Sequence, residues 1–580
     1  MTAPDCELML EISLIGSPSL ADDGGVLDGP RGRKAWALLG RLARSDDPPS
    51  RRRLVDELFV EAADPMGALR WNLAELRRTL GLADSFKGDP VHLQLPATVT
   101  VDARSIDEQI SKGKVPAGDF LEGIDVSASP EFETWLLIER QRVDAEVLAA
   151  AHHGALRALS IDQHDRAIDL GYAAVRRAPL DEGSHVLLVK ALAASGDTAR
   201  AEEQVAACRR TFMDDLGIEP GPSVAAAARP SVADPIPGVS ARASARSLLD
   251  AGLAALAAGA ADAGIECLRR AVADADGSGD EQLRASTRFE LGTALVHAVR
   301  GYDDEGAVVL MSALETAKQA GDSVTASKAL TELAYVDMVA GRRANASKSL
   351  DEGEALAAGD PLLLAAIAGF SGMNLNDWGR PTQAVEFFER SLHWSREAGS
   401  LRREGWSTGL GAVALLSVGR IDDAREWLER SLAVCEIERW TAFRPWPAAW
   451  LGKIRLLDGV PAVTVREDME TNLALSNQLG DPCWQGVSAE TIGLTYREEG
   501  DLDSALEWMA RARGLCNRVS DRYVWFSSQT LRAEAETAIE AGATDRAAAL
   551  ADQLIIDAAR GQMDGLLEDG LRIRAGLLER

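Results

Sequence analysis

The sequence lacks any run of about eighteen or more apolar residues, the length that a membrane-spanning helix needs. Its first residues, MTAPDCELML, have neither the basic start nor the apolar core of a secretory signal. Aromatic residues make up only 5% of the chain. Ala and Leu are abundant and β-branched residues are sparse, a composition that favours helices. We therefore expect a mainly α-helical protein of the cytoplasm with no membrane partner.

Cysteines are few and far apart. The six are Cys6, Cys208, Cys267, Cys435, Cys483 and Cys516. No two of them have the short spacing of a zinc site, and they do not form the dense pattern of a disulfide framework. We interpret them as reduced thiols of a cytoplasmic protein and predict no metal site.

Motifs of enzymes are also missing. There is no G-x-x-x-x-G-K-[ST] for nucleotide, no H-E-x-x-H for zinc and no EF-hand loop for calcium. The seven histidines are dispersed except for His152 and His153, which point to different sides of a helix. We predict that the protein is not an enzyme and uses no cofactor.

Positive charge is scarce overall but concentrated in one segment. The net charge of −28 argues against general affinity of the chain for nucleic acid. Between Arg31 and Arg78, however, eleven basic residues face seven acidic ones. The acid excess therefore lies elsewhere, and this segment remains a candidate for DNA binding.

Residues 1–103 combine strand and helix patterns. Leu8, Leu10, Ile12 and Leu14 alternate with polar positions, as in a half-buried strand. The pattern then predicts helices over 31–44, 51–59 and 65–80 and a terminal hairpin from 91–95 and 98–102. Strands, three helices and a hairpin predict a winged-helix DNA-binding domain with an α+β fold.

The third of these helices is the candidate DNA-reading element. Leu69, Leu73, Leu76 and Leu80 form an apolar stripe for the domain core. An α-helix fits the major groove of DNA, where Arg pairs with guanine and Asn with adenine, and further basic residues contact phosphates. The predicted DNA-binding residues are Arg70, Asn72, Arg77 and Arg78 in this helix, and Arg51, Arg52, Lys34 and Lys87 around it. The other interpretation is that these arginines only solvate a helix face.

The remaining chain is predicted to be helical throughout. Residues 104–217 contain a long amphipathic helix over 131–159 followed by three shorter ones. Residues 218–240 form a proline-rich segment that cannot continue a helix, and we predict a linker there.

Residues 241–580 are repetitive. One series of glycines recurs every 38 to 42 residues, at Gly259, Gly301, Gly341, Gly379, Gly419, Gly459, Gly500 and Gly542. A second series lies between them at Gly279, Gly321, Gly359, Gly399 and Gly480, with one member missing near Glu438. Two turns in each unit of about forty residues predict helix–turn–helix repeats that stack into a tetratricopeptide-like solenoid.

Tryptophans are concentrated in the repeats, where 10 of the 13 lie between Trp378 and Trp525. Trp440, Trp446 and Trp450 form the densest cluster. They either line an aromatic pocket that binds a ligand or partner, or fill gaps between helices. We take this cluster as the candidate ligand or partner surface, with the core interpretation left open.

Several strings resemble the Streptomyces antibiotic regulatory protein family of transcriptional activators. In the winged helix these are residues 14–43, SRRRLVDELF (50–59) and ALRWNLAELRRTLG (68–81). Beyond it, FLEG (120–123), EFETWLLIERQRV (131–143), PLDEGSHVLLVKALAASGD (179–197) and RRTFMDDLGIEPGPS (209–223) resemble the bacterial transcriptional activator domain of that family. The resemblance covers roughly residues 7–225.

The resemblance implies an OmpR-type winged helix that binds direct repeats near promoters, a helical domain that supports self-association, and recruitment of RNA polymerase. Ala74 and Glu75 depart from it, because the family usually has a small polar and a basic residue there. Large members carry an ATPase module that the linker replaces here. We expect a sequence-specific transcription regulator, an activator and a possible homodimer, whose repeats receive a protein, peptide or ligand signal.

The alternative function is a helical-repeat scaffold or adaptor whose degenerate winged helix no longer binds DNA. Residues 1–110 contain 18 acidic and 13 basic residues, so their net charge is −5. Glu75 in the reading helix would be repelled by phosphate if it faced DNA, unless it accepts a hydrogen bond from cytosine or points to Arg78.

Overall fold

The structure is a computed structural model that describes residues 9–45, 47–126, 129–229, 240–299, 301–518 and 521–578. Leu8 of the predicted first strand, Cys6, and residues 230–239 of the predicted linker lie outside this range. Within it, helices dominate and strands are confined to a small N-terminal sheet and one short two-stranded pair. The predicted fold class, mainly α with an α+β region at the N-terminus, is confirmed.

The strands are β1 (Leu10–Ser13), β2 (Ser19–Asp22), β3 (Gly25–Leu27), β4 (Val99–Val101), β5 (Asn517–Arg518) and β6 (Asp521–Arg522). The first four form one sheet in the order β3-β2-β1-β4, in which β1 pairs antiparallel with β2 and parallel with β4. β5 and β6 form an antiparallel pair in the repeat region.

The helices of the N-terminal half are α1 (Arg33–Ala43), α2 (Arg51–Leu58), α3 (Pro65–Leu80), α4 (Ile106–Ser111), α5 (Pro130–Ser160), α6 (His164–Arg177), α7 (Glu182–Ala194), α8 (Thr198–Leu216) and α9 (Pro222–Ala227). A short 3₁₀ turn over Asp102–Arg104 precedes α4. Among the described residues no helix is long and apolar enough to cross a membrane.

The helices of the repeat region are α10 (Ala241–Ala257), α11 (Ala261–Asp276), α12 (Glu281–His297), α13 (Asp303–Ala320), α14 (Ser323–Val339), α15 (Arg343–Leu356), α16 (Pro361–Trp378), α17 (Pro381–Glu397), α18 (Leu401–Ser417), α19 (Ile421–Ile437), α20 (Pro445–Leu457), α21 (Ala462–Leu479), α22 (Pro482–Glu498), α23 (Leu502–Cys516), α24 (Val524–Glu540), α25 (Thr544–Arg560) and α26 (Asp564–Leu578). They confirm the predicted helical repeats.

The predicted hairpin of 91–95 and 98–102 is wrong. Residues 91–95 form no named strand, and β4 pairs with β1 instead, with Leu10 opposite Val99. A shorter loop closes earlier in the chain, where Phe86 N donates to His92 O over 3.1 Å and His92 N to Lys87 O over 3.1 Å. The second strand of the predicted hairpin, β4, therefore pairs with the edge of β1 and not with residues 91–95.

The described chain forms two compact units, one that ends at Gly154 and one that begins at Ala155. In the first unit, Arg44 at the end of α1 binds α5. Its guanidinium reaches Glu139 at 3.0 Å, Glu146 at 2.7 Å and the Ala103 carbonyl at 2.8 Å. The sheet, the three helices and the start of α5 therefore pack as one body, and the predicted division at residue 103 stays a prediction.

The second unit contains the repeats, in which consecutive helices form antiparallel pairs beginning with α10 and α11. The first helix of each pair also contacts the first helix of the next pair, so the first helices form the inner layer. The predicted glycines occupy left-handed turns, as at Gly419 with φ 79°. Where the second series lacks a glycine, Arg439 takes that conformation with φ 50°.

The C-terminal turns of the array fold back onto its middle. Tyr523 Oη donates to Asp377 Oδ2 over 3.0 Å, and Ala344 N donates to Gln562 Oε1 over 3.1 Å. A Cβ on Gly379 would lie 2.4 Å from the Gly565 backbone nitrogen, so this approach requires glycine. The array therefore closes on itself between α14–α16 and the turns before α24 and α26.

The repeats also contact the segment that precedes them, through α7 and α13. The carboxylate of Asp304, in the first turn of α13, lies so close to Gly183 in α7 that a Cβ there would be 2.6 Å from Oδ1. Burial, together with the negative charge of Asp181, raises the pKa of Asp304 to about 7, although Arg342 opposes the shift. The first array helices thus contact α7 at a half-buried carboxyl group.

This contact predicts a pH dependence. Because the pKa of Asp304 is raised to about 7 in the folded protein and is about 3.9 in an unfolded chain, its contribution to stability falls as the pH rises between those values. Asp304→Asn should melt like the wild type near pH 4 and at a higher temperature than the wild type at pH 8. The measurement is the melting temperature of the full chain across this range.

Asp422→Asn is the matched control, since Asp422 also lies in the first turn of an array helix but is fully exposed. Its melting difference from the wild type should not change with pH. Equal melting of Asp304→Asn and wild type at pH 8 would contradict the burial argument.

Candidate nucleic-acid interface

The bounds of helix α3 are set by capping residues at both ends. The Asp64 carboxylate accepts from Gly67 N over 2.8 Å as the N-cap, and Pro65 follows at the first helical position. Gly81 ends the helix in the left-handed conformation with φ 69°. Its leucine stripe is buried as predicted, with Leu69, Leu73, Leu76 and Leu80 in the core. The opposite side of α3 is free for recognition.

The exposed side of α3 consists of Met66, Arg70, Trp71, Ala74 and Arg78. The side chain of Arg70 is 63% exposed, with its nearest acid at 3.7 Å. Trp71 is 55% exposed, which is unusual for so large an apolar side chain. Trp71 is not among the residues predicted from the sequence, although its place beside Arg70 and off the leucine stripe indicates an exposed position.

Two residues that were predicted to contact DNA bases, Asn72 and Arg77, instead form hydrogen bonds within the protein. Asn72 is buried, and its amide Nδ2 donates to the Ala68 carbonyl one turn earlier over 2.9 Å. Arg77 is half-buried and donates from Nε to Ser85 O over 3.0 Å and from Nη2 to Phe86 O over 2.6 Å. Asn72 therefore cannot reach a base edge as it stands, and Arg77 holds the loop that follows α3.

Glu75 does not face outward. Its side chain is only 7% exposed, and it accepts from Arg31 N over 3.2 Å and from the Arg78 guanidinium over 2.6 Å. The hydrogen bond from Arg78 and that from the Arg31 backbone lower the pKa of Glu75. The carboxylate is thus ionised and already bonded, so the phosphate repulsion expected from the sequence has no exposed source.

The other predicted contacts occupy different places. Arg51 donates from Nε to Gly88 O over 2.9 Å and braces the loop after α3, whereas Arg52 is 91% exposed. Lys87 in the same loop pairs with Asp84. Lys34 is half-buried, with its Nζ 5.6 Å from the centroid of the Phe59 ring. Contacts therefore gather Arg51, Arg77 and Lys87 at one loop but do not connect Lys34 to them.

The tryptophan cluster of the repeats is interior. Trp446 is 1% exposed and donates from Nε1 to Gly409 O over 3.0 Å, and Trp450 is 5% exposed. Trp440 is half-buried and stacks on Phe443 with ring centroids 4.6 Å apart. The interpretation of this cluster as a binding surface is wrong for Trp446 and Trp450. Their rings pack α20 against α18 and α22.

Comparison with known proteins identifies one domain. Residues 117–229 match the family model of the bacterial transcriptional activator domain. The match covers α5 to α9, including the segment that contacts the repeats. It supports a transcriptional regulator of the activator type. No curated protein matches the chain.

Solved structures resemble parts of the chain. Mycobacterium tuberculosis EmbR in complex with a low-affinity phosphopeptide is 19% identical with a TM-score of 0.29, over 38% of this chain and 64% of that one. Aspartyl phosphate phosphatase F from Bacillus subtilis is 11% identical with a TM-score of 0.40, over 64% and 94%. A kinesin light chain repeat protein of Podospora anserina is 21% identical with a TM-score of 0.28, over 34% and 97%. The chain therefore spans just under two thirds of the length of EmbR.

The buried position of Trp446 predicts a loss of stability on truncation. Trp446→Ala should lower the free energy of unfolding by roughly 3–5 kcal/mol, because loss of a fully buried ring leaves a cavity and removes the indole hydrogen bond to the Gly409 carbonyl. Trp440→Ala, which removes a half-buried ring from the same cluster, should cost clearly less. Thermal and urea unfolding of the full chain measure both, and equal effects would contradict the interior placement.

Proposed function

We propose that the protein is a sequence-specific DNA-binding transcription activator whose helical repeats receive a protein or ligand signal. The observation that carries this proposal is the bacterial transcriptional activator domain over residues 117–229. In the chain it follows a segment whose third helix, α3, exposes two arginines. We also propose the predicted division of the chain, with a winged helix at 1–103, the activator domain at 104–217, a linker at 218–240 and the repeats at 241–580. The family match extends to residue 229, and helix α9 lies inside the first part of this linker and packs on α7, so the extended part of the linker would begin after α9.

The N-terminal sheet and α1–α3 are suited to act as the winged helix. In this proposal α3 enters the major groove with Arg70 and Arg78 toward guanines or phosphates. Arg78 can exchange part of its bonding with Glu75 for DNA, since its side chain is 62% exposed. Arg51, Arg77 and Lys87 act through the loop after α3, which would serve as the wing. Arg52 is 91% exposed and its contact with Asp56 is long, at 3.9 Å, so its side chain can turn to a phosphate instead. Asn72 and Lys34 leave the proposed set.

The partners follow from the same resemblance. They are double-stranded DNA with direct repeats near promoters, RNA polymerase, and a second copy of the chain in a homodimer. We propose a cytoplasmic location and a protein or ligand partner at the repeats. No enzyme activity or cofactor is part of the proposal.

The second candidate remains a scaffold that does not bind DNA. Its support is now Trp71, because an exposed aromatic ring on α3 suits a protein surface as well as a thymine methyl group. The net charge of −5 over residues 1–110 points the same way. Glu75 no longer contributes, because it is buried and bonded to Arg78.

Genome-wide occupancy of the tagged full chain tests the proposal. Wild type should occupy discrete promoters that share a direct repeat, and Arg70→Ala/Arg78→Ala should lose these peaks, because both side chains lie on the exposed face of α3. Arg104→Ala is the matched control, since Arg104 is exposed but lies outside α3. Its peaks should be unchanged.

Binding to an occupied promoter fragment should also weaken steeply with salt, with a log–log slope of about −0.9 for each phosphate neutralised. Folded wild type that occupies no promoter under several growth conditions would favour the scaffold. In that event the partners of the repeats become the next target.

A further inference from the structure

A ladder of rings runs across the inner layer of the array. It joins His297 of α12, Tyr335 of α14, Phe370 of α16 and Trp406 of α18, with successive centroids 5.0, 5.4 and 5.2 Å apart. Each ring comes from the first helix of its pair, and therefore from the inner side of the array. Tyr335, Trp406 and His297 retain partial exposure, whereas Phe370 is 5% exposed.

Arg403 lies on this ladder. Its guanidinium carbon is 5.3 Å from the centroid of the Trp406 ring and 5.8 Å from that of Phe370. Among the described residues this guanidinium has no hydrogen bond and no ion pair. Its contacts are two aromatic faces, which hold its plane and leave the N–H groups without an acceptor.

Two other charged groups on the inner layer have partners. Lys453 of α20 donates to Glu490 of α22 over 2.8 Å. Glu332, whose charge acts on Arg403, already contacts His297 with its Oε2 2.7 Å from the imidazole Nε2. Glu332 therefore acts on Arg403 through its charge, while its hydrogen bond is to His297.

The N–H groups of Arg403 remain accessible. Arg403 is half-buried, and its guanidinium nitrogens are not fully enclosed, so an acceptor from outside can reach them. Burial lowers the pKa of the Arg403 guanidinium, and the charge of Glu332 offsets part of this shift. An anion at this position would supply the hydrogen-bond acceptor that the described protein groups do not.

We propose that Arg403 and the half-buried rings of Tyr335 and Trp406 form a binding site for a small organic carboxylate with an aromatic body. The carboxylate accepts from the Arg403 guanidinium, whose planar fork suits two parallel hydrogen bonds. The aromatic body lies against the exposed parts of the two rings. This names a ligand for the signal-receiving role proposed above and rests on that role only for its biological meaning.

The inner layer is packed beyond the ladder. Phe370, Trp446 and Phe526 are buried, and Trp446 contacts Phe526 at 6.1 Å between centroids. The ladder therefore ends at a filled interior around α20, and the proposal names a compact acid, which needs only Arg403 and the two half-buried rings.

Isothermal titration calorimetry of the full chain with 1-naphthoate tests the site, and 1-naphthamide serves as the uncharged analogue. Wild type should bind the acid at one site and the amide at least tenfold more weakly. Arg403→Gln should bind the acid at least tenfold more weakly than wild type and no longer distinguish it from the amide. Arg403→Lys, which keeps the charge without the planar fork, should fall between them.

Arg402→Gln is the matched control, because Arg402 is the exposed neighbour that contacts Glu438 and the Trp440 ring instead. It should bind like wild type. Absence of naphthoate binding to the folded wild type at millimolar concentration overturns the proposal, as does equal affinity in Arg403→Gln. If one of the two Arg403 variants does not melt cooperatively, the naphthoate affinity of the other variant is compared with that of the wild type.

Promoter affinity measured with and without naphthoate separates this proposal from the preceding one. Binding that requires Arg403 but leaves promoter affinity unchanged supports the site and contradicts a role of this ligand in signalling. Loss of promoter binding in the α3 variants alone leaves the Arg403 result unaffected, because the two sites share no residue.

Discussion

A pair of antiparallel helices in this array cannot bury its apolar side alone, and the neighbouring pair supplies the missing cover. The left-handed turns at glycines such as Gly341 and Gly379 make that stacking possible, because they reverse the chain within one or two residues. The same two glycines then allow the turns at Gly561 and Gly565 to approach. Stacking and closure therefore depend on one backbone constraint, and the inner layer becomes an interior lined by rings.

In the first unit, ion pairs determine which arginines remain available. Arg41 is bound to Glu57 at 2.8 Å and Arg44 to Glu139 and Glu146, so these two cations fix α1 against α2 and α5. Arg77 is used by the loop after α3. What remains for DNA on α3 is Arg70 and Arg78, the second of which shares its charge with Glu75. The candidate interface is smaller than the count of basic residues suggests.

The periodic features could be predicted from the sequence because they depend on local rules. The leucine stripe of α3, its caps and the glycine turns of the repeats are all set by neighbours in the chain. The hairpin, Asn72 and the tryptophans Trp446 and Trp450 depended on distant packing instead. β4 pairs with β1, and the Asn72 amide donates to a carbonyl of its own helix. The tryptophans pack against α18 and α22. A local sequence pattern reveals none of these contacts.

Charge composition explains why an unpaired cation is informative here. The chain has 90 acidic and 62 basic residues, so an arginine on a helix surface readily meets a carboxylate. Arg342, Arg430 and Arg513 each do so, at 2.6, 3.1 and 3.0 Å. Arg403 lies among such helices on two ring faces without a carboxylate bonded to it, and its N–H groups stay accessible to an acceptor. An acidic chain that leaves such a position unpaired leaves room for an anion from outside.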